Sequence, residues 1–239
     1  MSIALFTQVW ASCVGPTVAI ETGAAVARAE SGFDTLAIHD NTASRTYAPA
    51  NLAEAIAVAA TLRAAGDSFD LGVMQINSAN LARLGLTIAG AFDPCRNMAA
   101  GAQILINDYL AGRTGQDAQV RLRQALSRYN TGDGAAGFVN GYVARVQVAA
   151  GQIVPAIRLQ RHASQDATAD DRHTDGPPQA AVHGAGLIDG LVHPDARTAA
   201  AAVVPNKGDD ALIHPEDVPP PRESSSAPPP SQASPGPSG

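Results

Sequence analysis

Apolar residues recur along the first two thirds of the chain at helical spacing, broken at intervals by proline, glycine and capping residues. Val18, Ala25, Val26 and Ala29 follow Pro16 and predict a helix over residues 17–29, halted by Ser31-Gly32. Asn51 caps a second over 52–65, with Gly66 just past its end. A short helix is expected over 78–84, ending at Gly85. Asp93-Pro94 opens a long one over 94–110, with Met98, Ala102, Leu105, Ile106 and Tyr109 on one face and Gly112 at its end. Residues 116–127 make a further helix, stopped by Gly132, Gly134 and Gly137, and 138–153 make the last. Residues 69–73 read as a short strand or an extended edge, and 42–50 as an insertion-tolerant loop. No βαβ alternation, internal repeat or glycine-rich phosphate loop is present. The fold class expected is α+β, mainly helical, with several helices around a small sheet.

Composition changes near residue 160. All ten aromatic residues lie at or before Tyr142, and 13 of the 17 prolines lie at or after Pro177. Residues 1–159 carry 11 basic and 11 acidic groups; residues 160–239 carry 5 and 11, so the net charge of −6 belongs to the second segment. Without aromatics, that segment has too little apolar area to offset the entropy of ordering. The expected organisation is one domain over 1–159 and a disordered, acidic, Pro/Ser-rich tail over 160–239, of low complexity from about Val218. A neutral domain with an acidic tail offers no footprint for nucleic acid. No run of 18 apolar residues exists, so no membrane-spanning helix is expected. The apolar start, residues 1–6, lacks a basic region and merges into the domain, so no cleavable signal peptide is evident: an export signal is either degenerate or trimmed away. The six histidines show no paired metal spacing, and neither a metal nor any other cofactor is assigned.

Three short strings carry candidate chemistry. Glu30-Ser31-Gly32-Phe33 ends the first predicted helix, Gly72-Val73-Met74-Gln75-Ile76-Asn77 follows about forty residues later, and Tyr129-Asn130-Thr131-Gly132 comes after that. Glu30 alone reads as an ordinary surface carboxylate, although a helix C-terminus disfavours negative charge. In this order, the three strings resemble the lytic transglycosylase family, lysozyme-like enzymes that cleave peptidoglycan. The resemblance covers roughly residues 12–155 and implies a lysozyme-like domain with Glu30 as catalytic acid. Such an acid must stay protonated near neutral pH, which an apolar, partly buried site achieves. Most glycosidases pair two carboxylates. Asp34, Asp40 and Asp70 are the candidates for a second, and none has a compelling spacing. The resemblance implies a single glutamate acting first as acid and then as base. The 6-hydroxyl of the same muramic acid ring then attacks and gains effective molarity, leaving a 1,6-anhydro product.

The same resemblance implies a substrate-binding set of Ser31, Met74, Gln75, Asn77, Tyr129, Asn130 and Tyr142. Gly72 would permit close approach of backbone to sugar, and Gln75 offers both donor and acceptor. Met74 would pack on a sugar face or line the floor. Tyr129 would hold Glu30 or stack on the glycan, and Asn130 would bind an N-acetyl group. Residues 142–146 are similar to the closing helix of such domains, where a tyrosine sits near the acid. Two departures stand out: Ser127-Arg128 where alanine usually precedes the third string, and Asp34-Thr35 in place of Asn-Pro.

By themselves Cys13 and Cys95 read equally as two buried thiols. The exported setting that the family implies turns them into one disulfide, worth on the order of 4–5 kcal/mol in the chain-entropy model. The small domain, the absence of carbohydrate-binding repeats and the long acidic tail resemble the specialised transglycosylases of type IV secretion and conjugation systems, the VirB type. That resemblance implies a periplasmic enzyme acting on peptidoglycan glycan strands, with other secretion components as partners. A hydrolytic muramidase of the same fold and a non-catalytic glycan-binding scaffold are the alternatives.

Overall fold

A computed structural model describes residues 1–169. The core is built around a helix of small residues. α2 (Ile20–Glu30) buries Ala24, Ala25, Val26 and Ala27 completely, so its neighbours approach closely on several sides. It packs most extensively on α8 (Tyr142–Ala169) and also on α1 (Ile3–Cys13). α1 arises from the apolar start of the chain, where periodicity had assigned no element. Ser2 caps it, its hydroxyl accepting from the Leu5 N–H, and Phe6 and Trp10, one turn apart, are driven into the core. The Trp10 indole donates to Val18 O (3.2 Å) and fills the space over Gly23, where a Cβ would stand 2.1 Å from a ring atom. Pro16 lies in a separate 3₁₀ turn, Gly15–Thr17, so α2 begins later than expected.

α3 (Leu52–Ala65) has the predicted bounds: Asn51 accepts from the Glu54 N–H, and Gly66 closes it at φ 80°. Around it forms a four-stranded antiparallel sheet of β1 (Ile38–Asp40), β2 (Arg45–Tyr47), β3 (Phe69–Leu71) and β4 (Ile76–Asn77), in the order β2-β1-β3-β4. The segment read as a loop over 42–50 is thus half of a hairpin. Buried Asp40 makes its turn by accepting from the N–H groups of Thr42 and Ala43. In the β1–β3 register His39 faces Asp70, and in the β3–β4 register Asp70 faces Asn77.

α4 (Ile88–Ala91) leads into α5 (Pro94–Leu110), whose bounds again match the sequence reading, with Asp93 as cap. The Cys13–Cys95 disulfide joins the end of α1 to the first turn of α5. The expected helix over 78–84 is a 3₁₀ turn, Ser78–Asn80, followed by turns. α6 (Ala118–Thr131) is capped by Asp117 and runs past the expected end, so Tyr129 and Asn130 sit on its last turn. The predicted helix over 138–153 divides into α7 (Ala136–Val139) and α8, because Asn140 Oδ1 accepts from the Tyr142 N–H and starts a new helix. Buried Ile153 and Ile157 hold α8 to the core on either side of Pro155. α8 extends to Ala169, ten residues beyond the boundary set by composition. The rest of the expected disordered tail, 170–239, lies outside the described residues.

Candidate active site

Glu30 is the last residue of α2, and the chain leaves it through two left-handed residues, Gly32 (φ 62°) and Phe33 (φ 70°). A phenylalanine tolerates that conformation only when its surroundings hold it there. The Phe33 ring is buried against Phe6, centroids 5.2 Å apart. Ser31 secures the same corner, its hydroxyl donating to Val73 O (2.8 Å). Ser31 therefore ties the helix end to the 72–77 segment.

α8 brings Tyr142 against the acid. The Tyr142 hydroxyl donates to Glu30 Oε1 at 2.5 Å, and the phenol is 1% exposed. Tyr142 thus positions Glu30 from behind; a place in the sugar-contacting set does not fit its burial. Burial raises the Glu30 pKa from 4.5 to about 7. The Tyr142 hydrogen bond lowers it, the charge of Asp70 raises it, and Arg145 lowers it. Burial and the neighbouring Glu30 push Tyr142 itself well above its ordinary range, so it remains a donor.

The 72–77 segment is anchored by a residue that motif reading missed. Asn97, buried on α5, accepts from the Met74 N–H (2.7 Å) and donates to Leu71 O (2.9 Å) and Ala91 O (2.7 Å). Gly72 (φ 75°) is required by this packing: a Cβ there would lie 2.5 Å from both Ala91 O and Asn97 Nδ2. The close approach is to the protein's own backbone and amide, where a sugar had been expected. The Met74 side chain is fully buried and fills the space against Gly101, so it does not reach a sugar face. Its carbonyl accepts from the Tyr129 hydroxyl (2.7 Å), which is therefore committed to Met74 and not to Glu30. Gln75 donates to Ala37 O (3.1 Å) and Gly72 O (2.8 Å), leaving its side-chain oxygen as the acceptor in the cleft.

These elements enclose a cleft of about 450 Å³. Of the expected set, Glu30, Gln75, Asn77, Tyr129 and Asn130 line it; Ser31, Met74 and Tyr142 stand behind it as support. Asn130 accepts from Asn140 Nδ2 (2.8 Å), which fixes its amide and leaves its own N–H groups as donors. The cleft also holds Asp70, one of the three carboxylates weighed in the sequence, together with Arg128, Asn41 and Asp108. Burial raises Asp108 to about 6, opposed by the charges of Arg128 and Arg83. The signal for Arg128 was its departure from the usual alanine. Asn41 gave none, because only the hairpin turn carries it to the cleft. Among the described residues no three His, Cys, Asp or Glu side chains converge as a metal site, and no helix is long and apolar enough to cross a membrane.

A protonated carboxyl on an apolar helix end, held by one phenol inside a polar cleft, can deliver a proton to an ether oxygen of a bound glycan. Comparison with known proteins points the same way. The family described as transglycosylase SLT domain matches residues 15–148. Protein virB1 of Agrobacterium fabrum is 46% identical over 157 residues, covering 66% of this chain and 64% of that protein. Protein virB1 of Rhizobium radiobacter is 45% identical over 157 residues, covering 66% and 65%. The type IV secretion system protein virB1 of Brucella suis is 42% identical over 126 residues, covering 52% of each. The chain therefore spans less than two thirds of the length of these relatives. No solved structure matches it.

Proposed function

The chain belongs to the transglycosylase SLT domain family, and from that premise we propose that it is a peptidoglycan lytic transglycosylase. It cleaves the β-1,4 bond between N-acetylmuramic acid and N-acetylglucosamine. The observation that carries this reading is Glu30: a carboxyl raised to about 7, held by Tyr142 and lining the cleft. Glu30 donates its proton to the glycosidic oxygen, then takes one from the muramyl 6-hydroxyl as that oxygen closes on C1. Gln75 and Asn130 supply amides for hydroxyl and N-acetyl groups, and the exposed part of Tyr129 provides a surface for a sugar ring.

The biological setting proposed is local opening of the cell wall for a type IV secretion or conjugation apparatus, on the periplasmic side, with other components of that apparatus as partners. The virB1 relatives support this setting, and the Cys13–Cys95 disulfide suits an oxidising compartment. The test is digestion of purified murein sacculi with mass analysis of the fragments. Fragments ending in 1,6-anhydromuramic acid are expected; free reducing muramic ends would make the protein a hydrolytic muramidase, and no release would favour a glycan-binding scaffold.

A further inference from the structure

Three aspartates compete in the sequence for the place of a second carboxylate, and the fold separates them. Asp34 is exposed and accepts from the Leu36 N–H at the helix exit. Asp40 is buried and spends its side chain on the hairpin turn, on the N–H groups of Thr42 and Ala43. Asp70 lines the same cleft as Glu30. It sits on β3, between β1 and β4, and its carboxylate is gripped from both sides: Oδ1 accepts from Asn77 Nδ2 (2.8 Å) and Oδ2 from Asn41 Nδ2 (2.9 Å).

Neither amide is a coincidence of surface packing. Asn77 is opposite Asp70 in the β3–β4 register and also accepts from the Ala79 N–H, which fixes its own rotamer. Asn41 is presented by the turn that Asp40 builds, and its N–H donates to Ser68 O. The carboxylate is oriented by two neutral donors and has no cationic partner at contact distance among the described residues; burial raises its pKa, while Asn41, Asn77 and the charge of His39 oppose that and favour the anion. A purely structural ion pair would leave no such field in the cleft.

We propose that Asp70 is the second working carboxylate of this site, a fixed anion that stabilises the positive charge building on the scissile sugar. The inference rests on the glycosidic-cleavage reading. Glu30 gives its proton to the leaving oxygen as the C1–O bond breaks, leaving positive charge shared between C1 and the ring oxygen. The 6-hydroxyl oxygen of the same ring bonds to C1, and its proton passes to Glu30. Asp70 forms no bond; its charge lowers the energy of the positively charged stage relative to the neutral ground state, which is the condition for accelerating the step. Asp70 also acts on Glu30, raising its pKa and keeping the donor protonated. The other titratable groups around the pair are Tyr142 and Arg145 of α8 near Glu30, Tyr129 of α6, His39 of β1 opposite Asp70, and Asp108, Arg83 and Arg128 elsewhere on the cleft lining.

The test is kcat and KM against pH on a soluble peptidoglycan tetrasaccharide, for the wild type, Asp70→Asn and Asn41→Ala. Asp70→Asn should lower kcat on the order of 10²-fold with KM nearly unchanged. Its alkaline limb should move to lower pH, because Glu30 loses the charge that raises its pKa. Asn41→Ala, at an exposed turn, should move the acid limb to higher pH, because Asp70 loses a donor that favours its charged form. That second variant keeps the question answerable if Asp70→Asn does not fold. An active wild type beside a folded Asp70→Asn with unchanged kcat and limbs overturns the role of Asp70 alone. With an unfolded Asp70→Asn, an unmoved acid limb in Asn41→Ala overturns it. A wild type inert toward glycan overturns the parent reading as well.

Discussion

At the scale of single residues, the site is one acid and the groups that tune it. Glu30→Gln keeps the shape of the side chain and removes the proton. Sacculus lysis should fall on the order of 10³-fold, measured as muropeptide release. The same variant should be more stable than wild type at pH 8. The folded carboxyl titrates near 7 and the unfolded one near 4.5. Between those values the folded state holds a proton that the unfolded state has lost, so stability declines as pH rises through that window. The decline amounts to about 3 kcal/mol above pH 7, and glutamine is free of it. Thermal melts of both proteins at pH 5 and pH 8 check the sign: the gap should open only at the higher pH. Tyr142→Phe removes the hydrogen bond that lowers the Glu30 pKa. Its alkaline activity limb should move to higher pH, while the rate at the optimum falls because the carboxyl is no longer oriented. A pH–rate profile with an unmoved limb would contradict the assigned contact. Glu30 itself was legible in the sequence, through its string and its apolar helix. The burial of the Met74 side chain was not legible, because a string of letters does not say which side of the backbone faces the cleft.

At the scale of elements, the helices with strong punctuation were readable, and of the strands only β3, which falls inside the extended segment expected over 69–73. α3 is punctuated by Asn51 and Gly66, and α5 by Asp93 with an apolar face along its length, so local information suffices. β1, β2 and β4 are two or three residues long, and no alternation can be read over so short a run. α1 was missed because its buried residues Phe6 and Trp10 are seated by packing against α2, α5 and α8, which local spacing does not show. The disulfide clamps α1 to α5 across 82 residues. Replacing both cysteines by serine should cost on the order of 4–5 kcal/mol in the chain-entropy model, read as a lower denaturation midpoint, while the reduced wild type should melt near the variant. Gly23→Val tests the seat of Trp10. The added atoms cannot share space with the indole ring, and overpacking of this kind costs about 1–3 kcal/mol. Loss of stability with a red-shifted fluorescence of Trp10, the chain's one tryptophan, is the expected outcome.

At the scale of the whole molecule, the core that supports the cleft ends within α8. Ile153 and Ile157 are the last residues seen to enter the core, and the cleft draws its lining from residues 30–132. A protein ending at residue 169 should therefore retain sacculus lysis and melt cooperatively at a temperature close to that of the full chain. Zymography and calorimetry on the two proteins decide this. A much lower melting temperature for the shorter protein would show that residues 170–239 stabilise the domain.

By itself, the sequence determined the helical class, the break in composition near residue 160, the place of Glu30 at the end of an apolar helix and the family to which three short strings point. Each is a property of neighbours along the chain: spacing, caps, or a motif a few residues long. Only the tertiary structure decided which of three aspartates shares the cleft with Glu30, which tyrosine holds the acid, and why position 72 must be glycine. Those answers depend on groups brought together across 29 residues in the Asn41–Asp70 contact and 112 in the Tyr142–Glu30 contact. The electrostatics of the carboxyl follow from the same assembly, because burial is the largest influence on Glu30 and its nearest side-chain partner, Tyr142, comes from α8.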